Sequence, residues 1–162
     1  MTPATPATPT RDGHPRTVLL TGATGFVGRA VLPALVAAGW QVRCFTRDAK
    51  RAAAQLPLFD WMQVNVEDAP SLSLALAGCT AAMYLVHSMA EGAAFAERKV
   101  VAAQGFARAA AQAGLARIVY LGGLAPTGEA ASHLRSRLAV GETLRAGPVP
   151  AILLFIAPLT AP

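Results

Sequence analysis

Residues 17–30 of this 162-residue chain, TVLLTGATGFVGRA, restrict its possible folds more than any other segment. They join a short apolar run, typical of a buried parallel strand, to a glycine-rich turn and then to apolar residues at helical spacing. A strand that turns sharply into a helix leaves unpaired N–H groups at the helix N-terminus, where the helix dipole also favours an anion. The segment therefore predicts a cradle for nucleotide phosphates.

Three glycines in this turn have separate predicted roles. We expect Gly22 to take the tight turn, Gly25 to let the backbone approach the ligand, and Gly28 to let the helix pack on the strand. A glycine pattern alone is weak, and a tight turn without a ligand is the alternative. The strand before it, the helix after it and a second strand at residues 41–46 favour the nucleotide. The cradle also includes Thr24, Phe26 and Val27.

Strand and helix patterns alternate along the rest of the chain, which predicts an α/β fold with a doubly wound parallel sheet. Right-handed crossovers then favour the strand order 3-2-1-4-5-6. We expect one domain at residues 17–156, a disordered Thr/Pro/Ala tail at residues 1–16 and a short C-terminal tail at residues 157–162. The other expected elements include strand three at residues 61–66, a helix at 71–77 and strand six at 149–155.

Composition argues against several classes of function. The net charge of +5 comes from arginines scattered among helices and loops, so a solvated basic surface is favoured over nucleic-acid binding. No secretory pattern opens the chain, and its apolar C-terminal segment is too short to span a bilayer, which predicts a soluble cytoplasmic protein without a membrane partner. Cys44 and Cys79 have no partner at metal-ligand spacing, so we expect buried thiols and no metal site.

The spacing Thr-Gly-x-x-Gly-x-x-Gly at residues 21–28 resembles the extended and atypical short-chain dehydrogenase/reductases. The resemblance covers roughly residues 16–154 and is closest to the branch described as NAD(P)H-binding or nucleoside-diphosphate-sugar-epimerase-like. Further segments that carry it are YLVHSM at 84–89, FAER at 95–98, RIVYLGGL at 117–124, HLRSR at 133–137 and VGE at 140–142.

The resemblance implies a Rossmann fold and a nicotinamide dinucleotide, but no particular reaction or substrate. Members of this family continue past strand six into segments that build the substrate pocket, and a truncated or frameshifted reading frame is one interpretation of this difference. Extended members also form homodimers through the helices that follow strands four and five. The alternative for this chain is that the apolar faces of those helices cover the sheet and form no dimer.

The end of strand two predicts the choice between NADP and NAD. Arg47 could pair with a 2′-phosphate through its planar fork, and Thr46 could add a hydroxyl donor, which favours NADP. An NAD site would place an acid there to bind the ribose hydroxyls. Asp48 is the rival acid, although it is also well placed to cap a helix that runs to Leu56. The alternative is that Arg47 only lies at the surface.

Five further residues are predicted to contact the dinucleotide. Asn65 falls where members of the family often carry an aspartate that meets the adenine amino group, and Val66 follows it. Leu85, Val86 and His87 close strand four, beside the adenine ribose and the pyrophosphate. A loop histidine bonded only to backbone is the alternative for His87.

The catalytic pattern of the family is missing. Its Tyr-x-x-x-Lys pair has no counterpart, because Tyr84 and Tyr120 are followed four residues later by Ser88 and Leu124. The usual serine after strand five is replaced by Gly122 or Gly123. His133 and Arg137 have the same four-residue spacing and are the candidates for a substitute dyad, in which His133 exchanges a proton and Arg137 contributes charge. A helix-start histidine and an exposed arginine are the alternative.

Three classes of function follow. The leading hypothesis is an NAD(P)(H)-binding protein of the atypical short-chain type that favours NADP. The first alternative is an NADP-dependent oxidoreductase or epimerase-like enzyme with a non-standard proton donor and a small-molecule substrate. The second is a redox-silent interaction module or an inactive gene fragment.

Overall fold

Six strands and five helices alternate in the part of the chain that the structure, a computed structural model, describes: residues 16–85, 93–123 and 132–156. Apart from Arg16, both predicted tails lie outside these ranges. The strands are β1 (Thr17–Thr21), β2 (Gln41–Thr46), β3 (Asp60–Gln63), β4 (Ala81–Tyr84), β5 (Arg117–Gly123) and β6 (Ala151–Ile156). The helices are α1 (Phe26–Ala37), α2 (Ala49–Gln55), α3 (Ala69–Leu76), α4 (Ala93–Gln112) and α5 (Ser132–Arg145).

The strands form one sheet with the order β3-β2-β1-β4-β5-β6, and every pair is parallel. The predicted doubly wound α/β fold and its strand order are therefore confirmed. β1 lies at the centre, with Val18 opposite Val42 of β2 on one side and Ala81 of β4 on the other. The connections diverge at β1, since the chain leaves it toward β2 and later returns to its other side as β4. The carboxyl ends of β1 and β4 thus border the crevice in which such sheets bind ligands.

Local side-chain contacts decide several boundaries. The Asp48 carboxylate accepts a hydrogen bond from the Arg51 N–H at 2.9 Å and begins α2 as predicted, but the helix ends at Gln55, one residue before the predicted end at Leu56. Asp68 caps α3 through the Ser71 N–H at 2.9 Å, so this helix starts two residues earlier than expected.

The predictions for β3 and β6 were wrong at their ends. β3 stops at Gln63 rather than at residue 66, because the Asn65 side chain and carbonyl oxygen accept hydrogen bonds from the N–H groups of Glu67 and Asp68, which folds the chain into a turn. β6 starts at Ala151 rather than at residue 149.

Two hydrophobic clusters lie on opposite faces of the sheet. The larger packs α3, α4 and α5 on one face, where Phe106 and Leu144 are fully buried with Tyr120 of β5. The smaller packs α1 on the other face, where Leu32 lies in one cluster with Leu20 and Cys44. Apolar side chains on both faces explain the near-continuous apolar strands of the sequence.

The second face is unevenly covered. The helices that pack on it, α1 and α2, contact β2 and β3. Toward the other edge of the sheet, Ile152 and Leu154 of β6 remain 41% and 47% exposed, and their neighbours Val119 and Leu121 are half-buried. Within the described ranges no helix covers this end of the face.

Arg43 of β2 fastens the end of α3 to the sheet. Its guanidinium donates hydrogen bonds to the carbonyl oxygens of Ala75 and Ala77 at 2.9 and 2.7 Å, and it lies 3.6 Å from the Asp60 carboxylate. A cation at a helix C-terminus meets the negative end of the helix dipole. Arg43 therefore stabilises the fold at the helix end.

Candidate functional site

A buried hydrogen bond ties together the carboxyl ends of β1 and β4. The Thr21 hydroxyl oxygen accepts the Leu85 N–H at 2.7 Å, and both residues are buried. A buried backbone donor must be paired, and β4 has ended at Tyr84, so the hydroxyl takes the place of a strand partner. This bond places the start of the glycine-rich turn beside the end of β4.

Gly22 turns the chain sharply at this point. Its φ of +66° lies in the left-handed region, and a methyl group added to it would lie only 2.8 Å from the Leu85 carbonyl oxygen. The Gly22 carbonyl accepts the Gly25 N–H at 3.0 Å, which closes the turn. A side chain at Gly22 is thus excluded by both backbone conformation and space.

Gly28 and Gly25 meet different surroundings. A methyl group on Gly28 would overlap the Gly22 carbonyl oxygen and lie 2.6 Å from the Ala23 Cα, so Gly28 lets α1 pack directly on the turn. A methyl group on Gly25 would have one neighbour within 4 Å, the Gly22 oxygen at 3.2 Å, and would otherwise point into open space. Gly25 has an ordinary extended backbone, so its conformation permits a side chain once the Gly22 carbonyl oxygen shifts slightly.

The start of α1 is suited to an anion. Its N-cap is Gly25, no side chain caps the helix, and the first turn holds no acidic residue. The N-terminal N–H groups therefore face outward with the positive end of the dipole. Phe26 is 84% exposed, Thr24 is exposed, and Val27 is half-buried against the smaller hydrophobic cluster.

Arg29 contacts the glycine-rich turn, a role that the sequence pattern did not predict. Its Nε donates to the Thr24 carbonyl at 2.9 Å, and its Nη2 donates to the Gln55 side chain at 2.5 Å. It thus ties the turn to α2 and brings a positive charge to the start of α1. The available signal was an arginine four residues after Gly25, on the first turn of the helix.

The end of β2 carries an exposed basic cluster. Arg47 makes no hydrogen bond or ion pair with the described residues, and Lys50 and Arg51 of α2 are also exposed. The Asp48 carboxylate is engaged as the cap of α2, while the Thr46 hydroxyl accepts the Asp48 N–H at 3.3 Å. Three cations and one carboxylate, which caps α2, give the end of β2 an excess of positive charge that favours an anion.

The residues predicted to contact the adenine and its ribose differ in burial and in hydrogen bonding. The Asn65 side-chain oxygen already accepts the Glu67 N–H at 3.1 Å, although an amide oxygen has a second lone pair. Val66 is half-buried against the larger cluster, and Leu85 presents backbone groups to Thr21 and Gly22. Val86 and His87 lie outside the described residues.

Both tyrosines belong to the core. The Tyr84 and Phe106 rings pack edge to face with centroids 4.9 Å apart, and the Tyr120 hydroxyl donates to the Arg137 carbonyl at 2.9 Å. Burial raises the pKa of Tyr84, and burial raises the pKa of Tyr120 to about 12 against a smaller opposing effect of the Arg137 charge. Neither phenol is poised to exchange protons near neutral pH.

The two glycines at the end of β5 leave space for large side chains. A methyl group on Gly122 would lie 3.0 Å from the Phe155 ring and 3.3 Å from the Tyr120 ring. On Gly123 it would lie 3.4 Å from the Arg137 Nη1. The structure therefore brings the Arg137 guanidinium to the carboxyl end of β5. His133 lies in the first turn of α5, and its side chain is outside the described part.

No metal cluster or membrane span appears in the described ranges. Three or more His, Cys, Asp or Glu side chains do not come together there, and no helix there is both long and apolar enough to cross a bilayer. Cys44 and Cys79 are buried free thiols, and burial raises the pKa of Cys44 to about 12. Such thiols are inert nucleophiles.

Comparison with known proteins identifies one matching family. Residues 22–146 match the family model described as NAD(P)H-binding. A comparison with curated proteins found no significant match.

Several solved structures share the fold. A short-chain dehydrogenase/reductase superfamily protein from Agrobacterium tumefaciens with bound NAD has a TM-score of 0.70 and 24% identity, over 86% of this chain and 48% of that one. Triphenylmethane reductase from Citrobacter sp., complexed with NADP(H), has a TM-score of 0.68 and 22% identity, over 85% and 48%.

The Bordetella bronchiseptica enzyme WbmG in complex with NAD has a TM-score of 0.72 and 20% identity, over 90% of this chain and 54% of that one. The chain thus spans about half the length of these proteins.

The tyrosines yield a prediction for alkaline pH. Their raised pKa values mean that the folded state favours the neutral phenols, so this contribution to stability is complete below the ordinary pKa of 10 and is lost as pH rises toward 12. The chain has two tyrosines, and both are buried. Phenolate absorbance should therefore stay low near pH 10 in the native protein and reach half of its maximum there in urea. A phenolate signal near pH 10 with native circular dichroism would contradict the buried positions.

Proposed function

This chain belongs to the NAD(P)H-binding family, and on that premise we propose that it binds NADP(H), in preference to NAD(H), at the carboxyl ends of β1 and β4. The observation that carries the proposal is the glycine-rich turn. Backbone atoms occupy the space where a side chain of residue 22 or 28 would lie, whereas Gly25 mostly faces open space. A surface that excludes side chains and exposes helix N–H groups is complementary to a pyrophosphate.

The positions of the two ends of the dinucleotide follow from the cradle. With the pyrophosphate at the start of α1, the adenosine half extends toward the end of β2 and the nicotinamide half toward β4 and β5. We assign the adenine to Asn65 and Val66, and the phosphates to the turn that includes Thr24, Phe26 and Val27. Leu85, Val86 and His87 are assigned to the junction of the adenine ribose and the pyrophosphate.

NADP preference is supported by the charges at the end of β2. Arg47 is exposed, has no described partner, and can form a bidentate charged contact with a 2′-phosphate. Thr46 retains its hydroxyl proton as a donor because its oxygen is the acceptor for the Asp48 N–H. An NAD site would direct an acid at the ribose hydroxyls. The rival acid here, Asp48, instead caps α2.

We propose that the chain binds the dinucleotide without appreciable redox turnover. Both tyrosines are packed in the core, and a glycine stands where the family carries its serine. Hydride transfer to a carbonyl needs a positioned proton donor in the transition state. The alternative is an enzyme that uses His133 as proton donor and Arg137 as charge, which is favoured by the place of Arg137 at the end of β5.

Replacing Gly25 with valine should abolish NADPH binding. The extended backbone at this position permits valine once the Gly22 carbonyl oxygen shifts slightly, but the side chain would occupy the space assigned to the pyrophosphate. Titration calorimetry measures the affinity, and circular dichroism measures the retained fold. Gly105→Ala on α4 is the matched control, because its methyl group meets no atom within 4 Å and removes a helical glycine. Equal NADPH affinity for Gly25→Val and the wild type would refute the cradle.

Arg47→Ala should weaken NADPH binding by about tenfold to hundredfold and leave NADH binding nearly unchanged, because a charged hydrogen bond contributes roughly 1.5–3 kcal/mol. Titrations with both nucleotides measure this difference. Arg108→Ala removes the same charge from an exposed position on α4 and should have little effect. Wild-type protein that prefers NADH, or an equal loss in both variants, would overturn the assignment.

Oxidoreductase turnover should be low or absent with quinones, aldehydes and ketones. NADPH absorbance in the presence of each compound is the direct measurement. Turnover that disappears in His133→Ala would replace the binding proposal with the enzyme alternative. Turnover that survives this substitution would place the proton donor elsewhere.

A further inference from the structure

The Arg137 side chain has an unusual position for a cation on a helix that covers a sheet. Its Nη1 lies 3.4 Å from where a Gly123 methyl group would be, so the guanidinium reaches back over the carboxyl end of β5. The Arg137 backbone carbonyl accepts the Tyr120 hydroxyl at 2.9 Å, which fixes the helix at this residue. The head group therefore lies at the edge of the sheet where we propose that the dinucleotide binds.

No anion of the protein neutralises this guanidinium among the described residues. The ion pairs found there join Arg43 to Asp60 and Arg145 to Glu142, and Arg137 donates none of the hydrogen bonds in the described part. The residue is half-buried, unlike Arg47 and Arg108, which are exposed. A guanidinium has five N–H donors, and partial burial removes some of the water that would otherwise bind them.

The surroundings of the guanidinium strengthen its attraction for an anion. Leu134 lies 3.2 Å from the same methyl position on Gly123, so an apolar side chain borders the guanidinium. Low local polarity increases the attraction between a fixed cation and an incoming anion. A planar fork with free donors matches the two oxygens of a carboxylate or a phosphate.

We propose that Arg137 binds the oxyanion group, carboxylate or phosphate, of a small-molecule ligand at the carboxyl end of β5. The inference rests on the proposed function in one respect: with the adenosine half at β2, the nicotinamide half points toward β5, so the two ligands would be neighbours. It assigns an anionic ligand to the carboxyl end of β5, next to the nicotinamide half of the dinucleotide.

The test uses two simple anions as probes, oxalate for a carboxylate and inorganic phosphate for a phosphate. Each is titrated calorimetrically into the purified chain saturated with NADPH, so that the phosphate cradle is already filled, and into the chain without nucleotide. The variants are Arg137→Gln, Arg137→Lys and the control Arg108→Gln. All substitutions at position 137 keep the backbone carbonyl that accepts the Tyr120 hydroxyl, and circular dichroism measures the retained fold.

At least one anion should bind to the wild type, and the one that binds more tightly identifies the group. Arg137→Gln should weaken it about tenfold or more, Arg137→Lys should weaken it less, and Arg108→Gln should match the wild type. Failure of both anions to bind the wild type, or equal binding to the wild type and Arg137→Gln, would overturn the inference.

NADPH titrations separate this inference from the proposed function. An NADPH affinity that falls as much as the anion affinity in Arg137→Gln would assign the guanidinium to the dinucleotide and also overturn it. If wild-type protein fails to bind NADPH, the proposed function fails, while the titrations without nucleotide still decide whether Arg137 binds the anion.

Discussion

The close packing of α1 on the turn after β1 is the constraint on which the site depends. Gly28 lies so near the Gly22 carbonyl that a single methyl group would force the helix away from the strand. With the helix held there, the Gly22 carbonyl is directed toward Gly25 and Gly28, inside the turn. The hydrogen bond from Leu85 to Thr21 then fixes β4 beside the same turn. The positions of Gly25 and of the Arg29 backbone follow from this arrangement.

Features that depend on local pattern could be predicted from the sequence. Apolar runs and helical spacing indicated the alternation of strands and helices, and handedness rules then led to the strand order, which is confirmed. The same holds for α2, where Asp48 was identified as the cap from its position alone. The special place of Gly22 also follows from its neighbours along the chain, since the turn needs a positive φ. Membership of the NAD(P)H-binding family agrees with the resemblance seen in the motifs.

Features that depend on local hydrogen bonds or on contacts between distant segments could not be predicted from the apolar pattern. The end of β3 is set by hydrogen bonds within the Asn65 turn, which compete with the sheet and leave no mark on the apolar pattern. Arg29 and Gln55 are neighbours only because α1 and α2 lie on one face of the sheet. The location of the Arg137 head group similarly depends on how α5 crosses β5. Arginines scattered along the sequence thus acquire separate roles only in three dimensions.

The central position of β1 bears on how the chain folds during synthesis. One of its partners, β2, follows directly, but the contact between Thr17 and Thr80 joins residues 63 positions apart. The ribosome must therefore release β2, α2, β3 and α3 before the strand that closes the other side of β1 emerges. In that interval Val18, Leu19 and Leu20 lack half of their final neighbours. Non-local pairing of this kind slows folding and prolongs the exposure of apolar segments. The apolar strand β1 is therefore most exposed to aggregation, and most in need of chaperones, before β4 has been synthesised.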